Sequence, residues 1–173
     1  MVVELDKLGY DRYWFAEHHG FENLLSVAPE ILATYFLSNT ENIVIGTGGT
    51  MIMHYSPLKV AETFKTMAEL APGRVDLGIG RAPGSGPLEI RALNQGYPNK
   101  SSQLYDEIKI ILDYLEDKEP NDPVFSRVKA IPMNNEKLVM PWMLGSTGQA
   151  APVAAEWGMP YSHAKFFAVE TPD

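Results

Sequence analysis

Cysteine is absent from the 173 residues, which excludes disulfide bridges, thiolate metal sites and thiol catalysis and suits a reducing, cytoplasmic setting. Runs rich in lysine and arginine are lacking too. The formal charge of −8 is therefore not offset anywhere locally, and its repulsion of phosphate backbones argues against nucleic acid as a partner. No apolar stretch of about 18 residues occurs, and the opening Met1-Val2-Val3-Glu4-Leu5-Asp6 has no basic start followed by an apolar run. Neither a membrane span nor a signal peptide is read. Internal repeats and low-complexity segments are missing as well. What is there is ordinary for a globular protein: 45% hydrophobic and 21% charged residues, enough for one domain burying roughly two-thirds of its unfolded surface.

The apolar pattern alternates between strand and helix. Leu5 and Leu8 read as the end of a helix closed by Gly9, and Arg12 to Ala16 as a buried strand followed by a loop, Glu17 to Leu25. Ser26 is expected to cap a helix with Pro29 and Glu30 in its first turn. Asn42 to Thr47 reads as a second strand broken by Gly48-Gly49. Ser56-Pro57 opens a helix carrying Val60, Phe64, Met67 and Leu70. Arg74 to Ile79 is a third strand entering an irregular loop, Arg81 to Pro87. A helix from about Ser102 to Glu116 follows, then an irregular connection or short hairpin over Asp117 to Met140. Pro141 to Leu144, a turn, the helix Ala150 to Glu156 and the strand Pro160 to Phe167 complete the series. Such alternation demands right-handed crossovers and a parallel sheet, leaving an open doubly wound sheet or a (β/α) barrel. About five strands are too few for the eight of a full barrel, so a barrel here is incomplete.

In parallel α/β proteins the chemistry lies at the carboxyl ends of the strands. Three polar or glycine-bearing segments fall there. Glu17-His18-His19 closes the first strand and offers a carboxylate with two imidazoles for acid–base work. Neighbouring strand residues face opposite sides, so one histidine faces a site and the other is structural. A metal site is disfavoured, because this is not the i, i+4 spacing of metalloproteases and His54 and His163 fit no ligand pattern. In Gly46-Thr47-Gly48-Gly49-Thr50 the glycines let a flat ligand approach the backbone, although on sequence alone an ordinary tight turn is the better reading. Gly78-Ile79-Gly80-Arg81 combines exposed amides with a fixed positive charge suited to an anion. It is not the dinucleotide fingerprint, since Pro83 stands where a third glycine is required. Gly145-Ser146-Thr147-Gly148, between a strand and a helix, is anion-friendly through free amides and hydroxyls, or a plain helix cap.

With these residues in hand, the chain resembles the bacterial-luciferase-like, flavin-dependent monooxygenases. The resemblance rests on Tyr13-Trp14-Phe15-Ala16-Glu17-His18-His19, on Gly46-Thr47-Gly48-Gly49 with His54-Tyr55-Ser56-Pro57-Leu58-Lys59-Val60-Ala61-Glu62, on Ala71 to Arg81, and on Trp142-Met143-Leu144-Gly145-Ser146. These motifs run in family order along nearly the whole chain. The resemblance implies a partial (β/α)8 TIM barrel over residues 1–173 with about five of eight strands, lacking the first strand and about three later βα units. It implies a monooxygenase that binds reduced FMN, or a deazaflavin as in some relatives, and oxidises a small organic substrate with molecular oxygen through a flavin hydroperoxide. A flavin reductase would supply the reduced FMN. His18 would be the acid/base with Glu17 on the same wall. Thr47 and Gly48 would lie against the isoalloxazine, Gly80 and Arg81 would meet the phosphate, and Gly145, Ser146 and Thr147 would finish its cradle. Open sheet edges favour pairing into a dimer or other homo-oligomer. Two alternatives stand beside this: a non-catalytic flavin-binding or structural remnant paired with another chain, and a metal-dependent barrel hydrolase using His18 and Glu17.

Overall fold

The computed structural model describes residues 1–97, 103–133 and 139–167, and in them helices and strands alternate. The order is α1 (Val2–Lys7), β1 (Arg12–Phe15), α2 (Pro29–Leu37), β2 (Val44–Met51), α3 (Pro57–Leu70), β3 (Val75–Gly80), α4 (Pro87–Leu93), α5 (Leu104–Leu115), β4 (Val139–Gly145), α6 (Ala150–Glu156) and β5 (Tyr161–His163). The strands form one parallel sheet in the order β1-β2-β3-β4-β5. That order decides between the two architectures left open by the sequence. A doubly wound sheet reverses its strand order at a switch point, whereas consecutive right-handed crossovers keep every helix on one side and curl the sheet toward a barrel.

The curl is visible in side-chain contacts. β1 and β4 are three places apart in the sheet, about 14 Å if it were flat. The rings of Trp14 and Trp142 nevertheless meet edge to face at 5.1 Å, and the Arg12 guanidinium lies 5.2 Å from the centre of the Trp142 ring. These contacts lie on the concave face, where Trp14 Nε1 and Arg12 Nε both donate to Asp76 Oδ2, at 2.8 and 2.9 Å. The alternate residues Ile45, Val75, Leu77, Ile79 and Met143 face outward into a core shared with Val60, Phe64 and Met67 of α3 and Ile108 and Ile111 of α5. Fully burying each such side chain contributes roughly 1.5–3 kcal/mol. The chain is thus a five-stranded half-barrel with helices outside.

Several local readings change. β2 runs on through Gly48-Gly49 to Met51, with a cis peptide between the two glycines and a register shift between Gly48 and Thr50. The glycines do not end the strand because β2 pairs with β3 on both sides of Gly49, Gly48 with Gly78 and Thr50 with Ile79. α2 is preceded by Ala28, and the Ser26 hydroxyl donates instead to Ala16 O, tying the loop back to β1. α4 forms inside a stretch that glycine and proline make look irregular, opened by Pro87 in the first turn. Between α5 and β4 the described residues carry a short 3-10 turn, Phe125–Arg127, and no strand. Ser102, the expected start of α5, lies outside the described residues. β5 is three residues long, and Lys165–Phe167 is a 3-10 turn. No helix among the described residues is long and apolar enough to cross a membrane.

One cation sits fully inside. Lys65 of α3 is 1% exposed, and its ammonium donates to Tyr114 O and Ala130 O, each at 3.2 Å, and to Asp117 Oδ1 at 2.5 Å. All three donor positions are used, which binds the end of α5 and the stretch beyond it to α3. Lys65→Met keeps the apolar stem but removes the donors and the charge facing Asp117, and should cost on the order of 3 kcal/mol. Urea denaturation checks this: the midpoint should fall with the slope unchanged, and an unmoved midpoint would refute the role.

Candidate active site

The carboxyl ends of β2, β3 and β4 open onto one cleft of about 380 Å³. Gly48, Gly80, Arg81, Gly145, Ser146 and Thr147 all line it, so the two anion-friendly turns and the glycine pair share one rim. A larger groove of about 520 Å³ lies outside, between α2 and α3, bordered by Glu30, Tyr35, Lys59 and Glu62. It contains none of the strand-end residues, and the chemistry points to the smaller cleft.

The wall of that cleft is bare backbone. A Cβ built at Gly49 would stand 2.7 Å from Gly80 N and from Leu144 Cδ1, and one at Gly48 would stand 2.9 Å from Trp14 Cβ. Any larger residue there would fill the space or push the wall apart. Arg81 stands at the end of β3, with Nη1 donating to Tyr105 Oη at 2.5 Å. Its Nε is buried and has no hydrogen-bond partner among the described residues. A buried guanidinium N–H without an acceptor is costly, and an anion in the cleft would satisfy it. Ser146 and Thr147 are exposed at the opposite lip.

Thr47 is placed differently from the expectation. It is fully buried, its hydroxyl donates to Gly78 O at 3.3 Å and accepts from Thr50 Oγ1 at 3.0 Å, and it does not line the cleft. It faces into the protein because its neighbours Gly46 and Gly48 take the concave positions.

Glu17 and His18 also lie outside the cleft lining. Glu17 is completely buried, and its carboxylate accepts from Met51 N (2.8 Å), Tyr55 Oη (2.6 Å) and His19 Nε2 (2.8 Å). Met51 itself lines the cleft, so Glu17 shapes that wall from behind. Burial first, and then the bond to Glu17, push the Tyr55 phenol far above its ordinary pKa, so it stays a protonated donor. His19 is thereby held against a buried carboxylate. Its amide donates to Gly84 O at 3.0 Å, and Gly84, with φ +60°, passes so close that a Cβ would lie 2.9 Å from Glu17 O. His18 is half-buried with its ring against Phe21, and its amide donates to Ser26 O. His54 joins the same clasp through Nε2 to Pro83 O at 2.9 Å and Nδ1 beside Asn94 Oδ1 at 3.0 Å. His163 lies beside Tyr161, with Nδ1 2.9 Å from the phenol oxygen. Among the described residues no group of three or more His, Asp or Glu could hold a metal ion.

Sequence reasoning gave no role to Tyr55, Tyr105 or Gly84. Tyr55 lay inside a quoted motif, and Tyr105 carried no signal, because only the fold brings α5 beside Arg81.

The family described as luciferase-like monooxygenase matches residues 1–171. The chain belongs to that family. A luciferase-like monooxygenase of Escherichia coli strain K12 is 37% identical over 163 residues, covering 94% of this chain and 47% of the relative. An N-acetyl-S-alkylcysteine monooxygenase of Bacillus subtilis is 34% identical over 161 residues, covering 93% and 48%. The chain spans about half the length of the curated relatives it matches. The crystal structure of apo-MsnO8 superposes with a TM-score of 0.84 at 35% identity, over 96% of this chain and 47% of that one. Two more distant structures share the fold. One is the oxygenating constituent of 3,6-diketocamphane monooxygenase from Pseudomonas putida in complex with FMN, with a TM-score of 0.69 at 18% identity over 92% of this chain and 49% of that one. The other is an F420-dependent secondary alcohol dehydrogenase in complex with an F420-acetone adduct, with a TM-score of 0.70 at 21% identity over 88% and 49%.

The Glu17 carboxylate ties the end of β1 to β2 and to the approach to α3. Glu17→Gln places an amide N–H₂ where three donors converge and should cost about 2–3 kcal/mol. Thermal or urea unfolding measures it, and stability equal to that of the unaltered chain would show that the cluster does not hold β1, β2 and α3 together.

Proposed function

We propose that the chain forms the flavin-binding half of an FMN-dependent monooxygenase that oxidises a small organic substrate with molecular oxygen. The observation carrying this reading is the buried, unpartnered Nε of Arg81 at the edge of a cleft walled by Gly48, Gly49 and Gly80. A fixed cation beside bare backbone suits a flat group that ends in a phosphate. Arg81, Ser146 and Thr147 would hold the phosphate, with Gly145 giving the turn its shape, while Gly48 and Gly80 would face the ring. Reduced flavin supplies the electrons that activate oxygen. The chain's part is to bind and orient it, and to exclude water with the apolar side chains of Met51, Leu144 and Ala164. His18 would hold or deliver the proton, and Glu17, through Met51, Tyr55 and His19, would keep that corner rigid.

FMN is favoured here, with a deazaflavin as the alternative, since fold neighbours are named for each. A cysteine-free chain suits the reducing cytoplasm, where a flavin reductase would supply the cofactor. Arg81→Ala should weaken FMN binding by about 1.5–3 kcal/mol, whereas His18→Ala should lower oxygen-dependent turnover and leave FMN affinity nearly intact. Titration with FMN and with a deazaflavin, followed by oxygen-consumption assays with a reductant, checks both roles. Equal effects of the two substitutions on affinity would overturn the assignment.

A second reading, a half-barrel that works only when paired, is favoured by the concave face. Among the described residues β1 and β5 are the sheet's edges, and Asp76 Oδ1 on β3 and Trp142 Nε1 on β4 are buried without partners. Open parallel edges and orphaned polar atoms call for another surface. Multi-angle light scattering should give a mass of at least twice 19.2 kDa, and a well-behaved monomer would count against pairing.

A further inference from the structure

The chain beyond Arg81 is built to hold that side chain still. Tyr105, on the first turn of α5, accepts the Arg81 Nη1 hydrogen bond and also lies under its guanidinium, whose Cζ is 5.3 Å from the ring centre. The Tyr105 ring meets Trp157, the residue ending α6, edge to face at 5.9 Å and 90°. On the Trp157 ring rests the Lys109 ammonium, 5.1 Å from its centre. Cation, ring, ring and cation thus form a ladder joining the end of β3, α5 and α6. Cation–π and edge-to-face contacts each favour one orientation of their members, so the ladder fixes the guanidinium plane before any ligand arrives.

Nη1 spends one of its two N–H groups on Tyr105 and keeps the other, so the contact anchors that end of the guanidinium without closing it. Nε takes no part in it and is buried with no partner among the described residues. We propose that Tyr105 is a positioning residue of the anion site: it anchors one end of the Arg81 guanidinium and so holds the remaining N–H groups for a terminal phosphate of the cofactor. This rests on the reading of Arg81 as the phosphate's partner and deepens it. Tyr105 does not line the cleft, so its influence passes through Arg81. An arginine already held in place loses less conformational freedom on binding, which favours planar, bidentate recognition over a diffuse charge contact.

The test compares FMN with riboflavin, which has the same ring system and no phosphate, by fluorescence titration of the 173-residue chain and its Tyr105→Phe and Tyr105→Leu variants. The unaltered chain should bind FMN more tightly than riboflavin. Tyr105→Phe keeps the ring and its packing but loses the hydroxyl, and should shrink that preference about three- to tenfold while riboflavin affinity stays constant. Tyr105→Leu, which loses the ring face as well, should shrink it further; should that variant fail to fold by circular dichroism, Tyr105→Phe alone decides. An unchanged preference in Tyr105→Phe, or an equal loss for both flavins, overturns the role of Tyr105 and leaves the phosphate site standing. If the unaltered chain shows no preference for FMN, the phosphate-site reading itself falls, and this inference with it.

Discussion

A single buried carboxylate holds the upper end of this half-barrel together. Glu17 leaves β1 and gathers a backbone amide from β2, a phenol from the approach to α3 and an imidazole two residues away. Burying a carboxylate is expensive, and it is tolerated where donors surround it. Because those donors come from separate segments, the carboxylate acts as a knot that fixes how β1 and β2 end relative to each other. The loop after β3 is drawn into the same knot through Gly84 O and Pro83 O. The glycine wall and Arg81 therefore rest on a frame that is set before any ligand is bound.

Much of the fold could be read from the sequence, because its signals are local. The core-facing runs Ile45 to Thr47, Val75 to Ile79 and Trp142 to Leu144 are strands, and the helix stripes with Phe64 and Ile108 bury as their spacing requires. Curvature could not be read, since it depends on strand order and shows itself only where Trp14 touches Trp142. The length of β2 was missed because a glycine pair breaks most strands, whereas here both residues face a sheet and cleft that leave no room for a side chain. α4 was missed because proline and glycine mask a short helix.

The site was legible in part for the same reason. Gly48, Gly80, Arg81, Gly145, Ser146 and Thr147 fall together because all follow the carboxyl ends of parallel strands, which topology brings to one rim. Thr47 lies on the other side of the sheet from Gly48 by the two-residue alternation, which a glycine-rich run hides in the sequence. His19 differs from His18 by its bond to Glu17, and that carboxylate is buried because Met51 and Tyr55, 34 and 38 positions away, converge on it. Tyr105 illustrates the same limit: its importance lies in a neighbour 24 positions away.

Beneath the rim, Arg12, Trp14 and Asp76 interlock across β1 and β3, and Trp14 packs against Gly48 of the cleft wall. Rigidity thus comes from side chains buried beneath and beside the rim, and the rim itself from the turns after the strands. Such a division lets natural variation reshape the turns after β3 and β4 while the anchoring residues keep the scaffold intact. A lineage built on this half-barrel can diversify its chemistry without first solving folding again.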